Sequence, residues 1–479
     1  MRILMTSLGA WDTIETGITG KHSLTFPMAI VKQILLNAGI SPSAIDVYEG
    51  DIKPQGPWDV ILIGALDSRH FWKVPAFLRA LGLPELASER RMGAPAVIIG
   101  GQACYAPGPV LPFVDVAYVG EAEVSLIALL RALDGGRKWL LDRAAEIPGC
   151  LVPDVHGYDH QVSAVYTDDP SISLRGLETV NLRPLFRIEI ARGCPHRCPF
   201  CCLGWRQPYR PLPKEQIIKA LEGWATTGKK EIHLQAGDAE AHPDIEEIRC
   251  AVERLGLRDH SWTGRLDTVR TQHATAGKQY AFGIEGLSER LRKKSGKRGY
   301  SNEFIARRMG ELWRAGARKL MFHFIGGLPG ETDEDAYELE DLFYELEAEA
   351  KRSGCRQYLQ VGRQPFGPLP HTPWERKAPG LTHDRLGAVV ERYRGGTWLN
   401  ISDKEGQHKI PAILAAVTMR VGPEAAEVLI KGPPRLNEKT AKLQMTAYLR
   451  RSGLSDAKSI WQEWPKDKVL PWSNVKVKI

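Results

Sequence analysis

No apolar run in this 479-residue chain approaches the roughly 18 to 20 residues that a membrane span requires. The longest are short, of the Val60-Ile61-Leu62-Ile63-Gly64 kind, so no membrane partner is expected. The opening Met1-Arg2-Ile3-Leu4-Met5-Thr6 has neither the apolar stretch nor the cleavage site of a signal peptide and reads as a strand, which predicts a cytoplasmic protein. Cysteine is scarce: eight residues are too few for a disulfide scaffold. Charge of one sign is lacking too, since 64 basic residues face 57 acidic ones. The net +7 is dispersed apart from clusters such as Arg292-Lys293-Lys294 with Lys297-Arg298. That balance leans toward anionic ligands, phosphate-bearing cofactors included, and falls short of the basic stripe of a dedicated nucleic-acid binder.

What is present is core-forming material. With 43% apolar and 25% charged residues the chain is not disordered, and its length predicts about two to four domains. In the first 130 residues, short β-branched runs at 2–6, 44–48, 59–63, 96–99 and 114–119 alternate with helical spacing at 26–37, 71–81 and 124–133. This alternation predicts a parallel sheet with helices on both faces, an α/β arrangement whose ligands bind outside the carboxyl ends of the strands. Gly64, Gly100-Gly101 and Gly120 fall at those ends. Residues 135–185, with Gly135-Gly136, Pro148-Gly149, Pro153, Asp168-Asp169-Pro170 and several Thr and Ser, read as a linker with at most a small hairpin.

A second alternation starts at Phe186, with strands expected near 186–191, 231–235, 261–265, 279–284, 319–325 and 357–362 and helices near 214–227, 243–255, 267–276, 302–315 and 333–352. Six strand–helix repeats predict a partial (β/α)6 barrel with its chemistry at the C-terminal strand ends. Beyond the Pro-rich segment 365–373 the chain reads as mostly helical to about 452. The end, with Trp461, Trp464 and Trp472, reads as a tail packed over the barrel mouth.

Four of the eight cysteines, Cys194, Cys198, Cys201 and Cys202, fall within nine positions just after the first barrel strand. At this cysteine frequency a chance C-x3-C-x2-C arises about 0.002 times per chain, so coincidence is a weak explanation. Three thiolates on one short loop suit a 4Fe-4S cluster with one iron left open for a substrate or cofactor. A structural zinc needs four N or S ligands, and although Cys202 or His196 would complete a set, the adjacent Cys201 and Cys202 do not easily aim at one tetrahedron.

The spacing C-x3-C-x-aromatic-C, with Phe200 as the aromatic, resembles the signature of the radical S-adenosylmethionine (SAM) superfamily. The resemblance implies that Cys194, Cys198 and Cys201 ligate the cluster while the methionine amine and carboxylate of SAM occupy the open iron. One electron from an external reductant then cleaves the sulfonium to a 5'-deoxyadenosyl radical. Further segments fit residue by residue. Gln235-Ala236-Gly237-Asp238 stands where relatives carry a Gly-Gly-Glu turn that meets the methionine amine. Gly283-Ile284-Glu285-Gly286 resembles a Gly-Ile-Glu-Ser segment, with Glu285 either touching SAM or substrate or serving as a structural rim carboxylate. Phe324-Ile325-Gly326-Gly327-Leu328-Pro329-Gly330-Glu331-Thr332 resembles the segment beside the adenine, and Arg265 and Asp267 are candidates for the SAM carboxylate or ribose.

The front resembles the cobalamin-binding domain of one subgroup through Pro27, Asp51, Gly100-Gly101 and Gly120-Glu121-Ala122-Glu123, as does Pro365-Phe366-Gly367-Pro368-Leu369-Pro370-His371-Thr372-Pro373 after the sixth strand. The resemblance assigns Ser7, Leu8, Gly64, Ser68, His70, Gly100, Gly101, Gln102, Gly120 and Glu121 to the corrinoid. The Asp-x-His-x-x-Gly loop that offers histidine to cobalt elsewhere is missing, so Asp67-Ser68-Arg69-His70 would lie beneath the corrin with Arg69 or His70 facing the cobalt.

The expected layout is therefore a Rossmann-like cobalamin-binding domain at 1–134, a linker at 135–185, a partial radical SAM barrel at 186–376 and a small, mostly helical C-terminal domain at 377–479. The expected function is a cobalamin-dependent radical SAM methyltransferase: methylcobalamin supplies the methyl and the 5'-deoxyadenosyl radical activates an unactivated carbon. A peptide or protein side chain or a natural-product intermediate is the favoured substrate, with a nucleobase left open. The rivals are a rearrangement or cyclisation without methyl transfer, and a non-catalytic corrinoid or iron–sulfur sensor.

Overall fold

The computed structural model describes residues 1–8, 25–48, 56–175, 185–261, 263–273, 278–354, 356–380, 385–404, 409–423, 426–432, 441–453 and 457–477. Asp51 and the loop 9–17 lie outside them. The front sheet follows from β-branched runs whose side chains alternate between two apolar faces. Strands β1 (Ile3–Ser7), β2 (Ile45–Tyr48), β3 (Val60–Gly64), β4 (Ala96–Gly100) and β5 (Val116–Tyr118) run parallel in the order β2-β1-β3-β4-β5. Ile3, Met5, Val60, Leu62, Ala96 and Ile98 face helices α1 (Phe26–Asn37), α3 (Ala122–Arg131) and α4 (Gly136–Ala144). Leu4, Ile61, Ile63, Val97 and Ile99 face the other way, toward helix α2 (Val74–Ala80). Pro27 starts α1 at a position where its missing N–H costs nothing. Ser7, Gly64 and Gly100 are register neighbours, so the expected rim at the carboxyl ends of the strands is formed.

The stretch expected to be a linker is folded onto this sheet. Within it lie α4, the strand β6 (Cys150–Leu151), which pairs antiparallel with β5, and the strand β7 (Val162–Ser163). Burial explains why. Arg137 of α4 donates from Nη2 to Asp115 Oδ1 at 2.6 Å and from Nε at 3.1 Å, beside Arg90, which donates to the same oxygen at 3.3 Å. The Val97 N–H donates to Asp115 Oδ2 at 2.7 Å, so one buried carboxylate serves both guanidinium groups and the sheet backbone.

The barrel begins with β8 (Leu185–Glu189), followed by the antiparallel pair β9 (Ala191–Arg192) and β10 (Arg210–Pro211). Strands β11 (Glu231–Gln235) and β12 (Arg258–Asp259) join β8 in a three-stranded parallel sheet. Strands β13 (Thr263–Gly264), β14 (Gln279–Glu285), β15 (Lys319–Gly326), β16 (Gln357–Pro365) and β17 (Leu399–Lys404) form a five-stranded one. The expected third strand is thus split between the two sheets, and the helix expected at 267–276 is, among the described residues, only a short turn at Thr271–His273. β17 pairs parallel with β16, so the barrel continues past the expected boundary at 376. Helices α5 (Lys214–Ala225), α6 (Ile245–Arg254), α7 (Asn302–Arg314) and α8 (Glu334–Arg352) pack outside, with Phe186 stacked on Trp224 at 4.6 Å.

The C-terminal segment covers the second face of the front sheet. Helix α9 (Lys409–Arg420) places Val417 in that core together with Met445, Leu449 and Trp461, and Trp72 donates to the Thr418 hydroxyl. The tail expected over the barrel mouth ends in β18 (Val475–Lys476), paired with β7. Trp464 and Trp472 stack at 6.0 Å, and Trp472 Nε1 donates to Glu375 Oε2 at 2.8 Å, just beyond β16. The tail therefore fastens the front domain to the barrel rim.

Asp115→Ala leaves two buried guanidinium groups without their shared anion. It is expected to cost about 3–5 kcal/mol in the front unit, read as earlier urea unfolding and lost hydrogen-exchange protection in β4 and α4; a loss below about 1 kcal/mol contradicts this packing.

Candidate functional site

The three cysteines sit where the chain leaves the barrel. After β9, Gly193 turns with φ 68°, and a Cβ there would lie 2.5 Å from the Pro208 carbonyl oxygen, so only glycine brings the chain close enough to β10. Cys194, Cys198 and Cys201 follow, all partly exposed and unpaired. The loop is fixed by the Cys201 N–H donating to the Cys198 carbonyl at 3.1 Å, Trp205 Nε1 donating to the same carbonyl at 2.9 Å, and the Trp374 N–H donating to the Pro199 carbonyl at 3.1 Å. Phe200 packs beside Trp374 at 6.3 Å. Cys202 opens the short helix Leu203–Arg206.

Two glycines crowd the sulfurs. A Cβ on Gly237 would stand 3.4 Å from Cys194 Sγ, and one on Gly296 would stand 3.4 Å from Cys198 Sγ. Burial pushes all three thiols up, Cys201 to about 12, while the cations of Lys297 and Arg265 favour the thiolate at Cys198. Among the described residues no three His, Cys, Asp or Glu side chains converge as on a single metal ion. Thiolates on separate corners of a cubane need no such convergence, so the donor set and its glycine cradle fit a 4Fe-4S cluster better than zinc.

The remaining barrel residues gather near this loop with partners of their own. Asp238, buried, accepts from His196 Nε2 at 2.7 Å and from the Thr268 hydroxyl at 3.2 Å, and caps the Glu240 N–H at 3.2 Å. It thus binds the cysteine loop to the end of β11. Arg265 forks onto Asp267 with both bonds at 2.9 Å, and Tyr300 donates to Asp267 Oδ1 at the same distance. Glu285 has φ 67°, a conformation disfavoured for a side-chain-bearing residue, and its carboxylate occupies the space a Cβ on Gly283 would need. Burial raises its pKa against the pull of Lys297, whose Nζ lies 3.5 Å away. Lys297, buried between Glu285 and Cys198, was visible in the sequence only as part of a basic run. Gly326 accepts at its carbonyl from the Phe366 N–H, Gly327 packs against Gly380, and the Pro329 carbonyl accepts from Lys294.

In the front domain Ser7 Oγ accepts from Thr25, and the Leu8 carbonyl accepts from Lys73. Gly64 leaves room for the Met28 side chain. Ser68 donates to the Ala415 carbonyl, Arg69 pairs with Asp67 at 3.0 Å, and the buried His70 accepts at Nδ1 from the Leu66 N–H at 3.2 Å. Gly101 and Gly120, with φ 107° and 127°, allow backbone approach to Ala65 and Val165. Gln102 Oε1 is buried without a hydrogen-bond partner among the described residues, an orphan polar atom at the strand ends where the front sheet meets the barrel. That polar deficit fits a corrinoid, a group rich in amide donors and acceptors.

Glu121 faces the barrel. Its carboxylate pairs with Arg192 at 3.1 Å and with Arg210, and accepts from the Thr167 N–H at 2.8 Å. Arg192 also pairs with Glu123 and with Glu189 at 2.9 Å. Burial works against the Arg192 charge, but these carboxylates hold it above its ordinary pKa. A second set of contacts joins the Arg206 guanidinium to the Gln102 and Pro370 carbonyls, at 3.1 and 3.2 Å, and places His371 Nε2 2.8 Å from the Tyr105 carbonyl oxygen. These arginines and His371 were not singled out as site residues, because their partners lie about 70 to 270 residues away.

Cys194→Ala, Cys198→Ala and Cys201→Ala are each expected to reduce bound iron to a small fraction of the wild-type content after anaerobic reconstitution, whereas Cys202→Ser keeps about four per chain; full iron in any of the first three removes that residue from the ligand set. Arg192→Met removes the cation shared by Glu121, Glu123 and Glu189, leaving Glu121 to Arg210 alone, and is expected to cost about 3–5 kcal/mol, read as a lowered Tm, with an unchanged Tm contradicting the ion-pair cluster.

Comparison with known proteins agrees with this geometry. The radical SAM superfamily matches residues 188–343, and the family of radical SAM proteins, N-terminal, matches residues 56–153. The chain is 26% identical to an uncharacterized protein of Methanocaldococcus jannaschii over 63% of this chain and 67% of that one. It is 27% identical to the ribosomal protein uS12 methylthiotransferase RimO of Chromobacterium violaceum over 54% of this chain and 67% of that enzyme. Among solved structures, the radical S-adenosylmethionine methyltransferase TsrM from Kitasatospora setae, with cobalamin and a 4Fe-4S cluster bound, superposes with a TM-score of 0.53 at 14% identity, covering 83% of this chain and 76% of that one. The cobalamin-dependent S-adenosylmethionine radical enzyme OxsB, with aqua-cobalamin bound, gives 0.50 at 16% identity, covering 71% of this chain and 51% of that one. On the matched segment and its cysteine loop, residues 188–343 form a radical SAM domain, and the chain shares the fold of the cobalamin-dependent enzymes TsrM and OxsB.

Proposed function

We propose that the protein is a cobalamin-dependent radical SAM methyltransferase that methylates an unactivated carbon of a small molecule or of a peptide or protein side chain, with an external one-electron reductant. The observation that carries this reading is the junction itself: the cysteine loop and the carboxyl ends of the front sheet are drawn together by Arg192, Arg206 and Arg210. When bound, the cluster, SAM and cobalamin would together supply removal of a hydrogen atom from carbon and a methyl group to replace it.

The chain's own residues hold, orient and exclude water. Cys194, Cys198 and Cys201 are the cluster ligands in this reading. Lys297 and Arg265 keep positive charge beside the thiolates, and Asp238, through His196, holds the loop against β11. Glu285 and the turn at Gly237, Gly326, Gly327 and Pro329 border the SAM side. Ser7, Gly64, Ser68, Arg69, His70, Gly100, Gly101 and Gln102 border the corrinoid side, while Gly120 and Glu121 hold the two sides together. Burying the junction keeps water from a carbon radical, and fixing two reactive groups about one substrate replaces a bimolecular encounter.

The similarity to RimO raises methylthio transfer as an alternative chemistry, and the cysteine distribution disfavours it. Sulfur insertion needs a sulfur source, yet the front 134 residues hold only Cys104, buried with its thiol pKa raised by burial. The deciding experiment is anaerobic reconstitution with iron, sulfide and hydroxocobalamin, followed by desalting and quantification. About four irons and one corrinoid per chain, with reductant-dependent 5'-deoxyadenosine formation, are expected. Four irons without retained corrinoid would overturn the methyl donor, and failure of the loaded, reduced protein to cleave SAM would leave a sensor.

A further inference from the structure

The inner face of the barrel carries a cation that has no counter-ion among the described residues. Phe186 and Ile188 point outward into the core shared with Leu221 and Trp224, so by the alternation of a strand Arg187 faces the lumen. Arg187 is only partly exposed, and among the described residues it makes no hydrogen bond, ion pair or ring contact. Burial lowers its pKa, and no carboxylate offsets that cost. Its register neighbour on β11 is His233, 7% exposed, which burial and the Arg187 charge push down to about 4 and so keep neutral near pH 7. Asp259, the carboxylate acting on His233, is already engaged by Lys278 Nζ at 3.1 Å and by the Ser261 N–H at 2.8 Å.

Other buried or half-buried arginines of the site, Arg192, Arg206, Arg210 and Arg265, are all matched to carboxylates or carbonyls. A guanidinium withdrawn from water without an anion is costly, and its planar fork is shaped for two oxygens of a carboxylate or phosphate. We infer that Arg187, with the neutral His233 imidazole beside it, is a lumen subsite for an anionic group of the substrate, a carboxylate or a phosphate. The strand bearing Arg187 runs on to the cysteine loop, and two more residues at about 3.3 Å each carry it to its carboxyl end at Glu189. A substrate anchored by its anion at Arg187 therefore presents its far end to the reactive side of the barrel. This assignment rests on the proposed function for the reaction, but not for the anion site.

The test is site-resolved arginine modification of the full chain. Phenylglyoxal labelling is followed by mass spectrometry without anion, with N-acetylglycine, with inorganic phosphate, and with chloride at matched ionic strength. Arg187 is expected to label, and either probe anion at ten times its dissociation constant is expected to slow that labelling about tenfold. Protection by N-acetylglycine alone assigns a carboxylate, and protection by phosphate alone a phosphoester. Failure of Arg187 to label, protection by neither probe, or equal protection by chloride overturns the subsite. Arg187→Gln is expected to abolish the Tm increase that the protecting anion gives the wild-type chain; a persisting increase places the anion elsewhere. Iron and corrinoid content measured on the same preparations reports separately on the proposed function, and if Arg187→Gln does not fold, wild-type labelling still decides.

Discussion

The arrangement of the site depends on one buried cluster of ions. Arg192 stands two residues before Cys194 and gives its guanidinium to Glu121 and Glu123 of the front domain and to Glu189 at the end of β8. Arg210, its register partner across β9 and β10, adds a second guanidinium to Glu121. Breaking a buried pair strands the remaining charge, which is why such a cluster is strongly directional. The cysteine loop can therefore sit in only one way relative to the front sheet while the two domains are docked.

That constraint sets the roles of the glycines and the strained residues around it. Gly120 lets the chain lie against Val165, which brings Glu121 to the barrel. Glu285 and His371, both at positive φ, are held by Lys297 and by the backbone of Tyr105. Strain of this kind persists where surrounding contacts over-determine the backbone, and both residues lie beside the junction. Tryptophans 461, 464 and 472 close the structure from outside, so the front sheet, the barrel rim and the tail share their packing.

How much of this was legible in the sequence varied with the range of the interactions involved. The cysteine loop was legible because three thiolates within eight positions are a local pattern, and the front strands were legible because their β-branched runs are bounded by glycine. Glu121 was noticed, but as a cofactor contact, since nothing local reveals that Arg192 and Arg210 claim its carboxylate. Residues 135–185 looked like a linker because breakers such as Gly135-Gly136, Pro148-Gly149 and Asp168-Asp169-Pro170 interrupt them; Arg137 pins their start to Asp115 through a contact no composition shows. β17 was read as helix because it follows a Pro-rich segment and, among the described residues, pairs with β16 alone. Arg187 was one more basic residue until its surroundings showed that, among the described residues, no carboxylate answers its charge.

The central claim is that the ion cluster at Arg192 holds two cofactor sites at one fixed separation across the domain junction. Pulsed electron paramagnetic resonance on the reconstituted protein, with the cluster reduced and the corrinoid in its cobalt(II) state, measures that separation directly through dipolar coupling. The account predicts a single narrow distance in the wild-type chain that broadens in Glu121→Gln while iron and corrinoid contents stay unchanged. A broad distribution in the wild-type chain, or no coupling in a preparation that carries both groups, contradicts it.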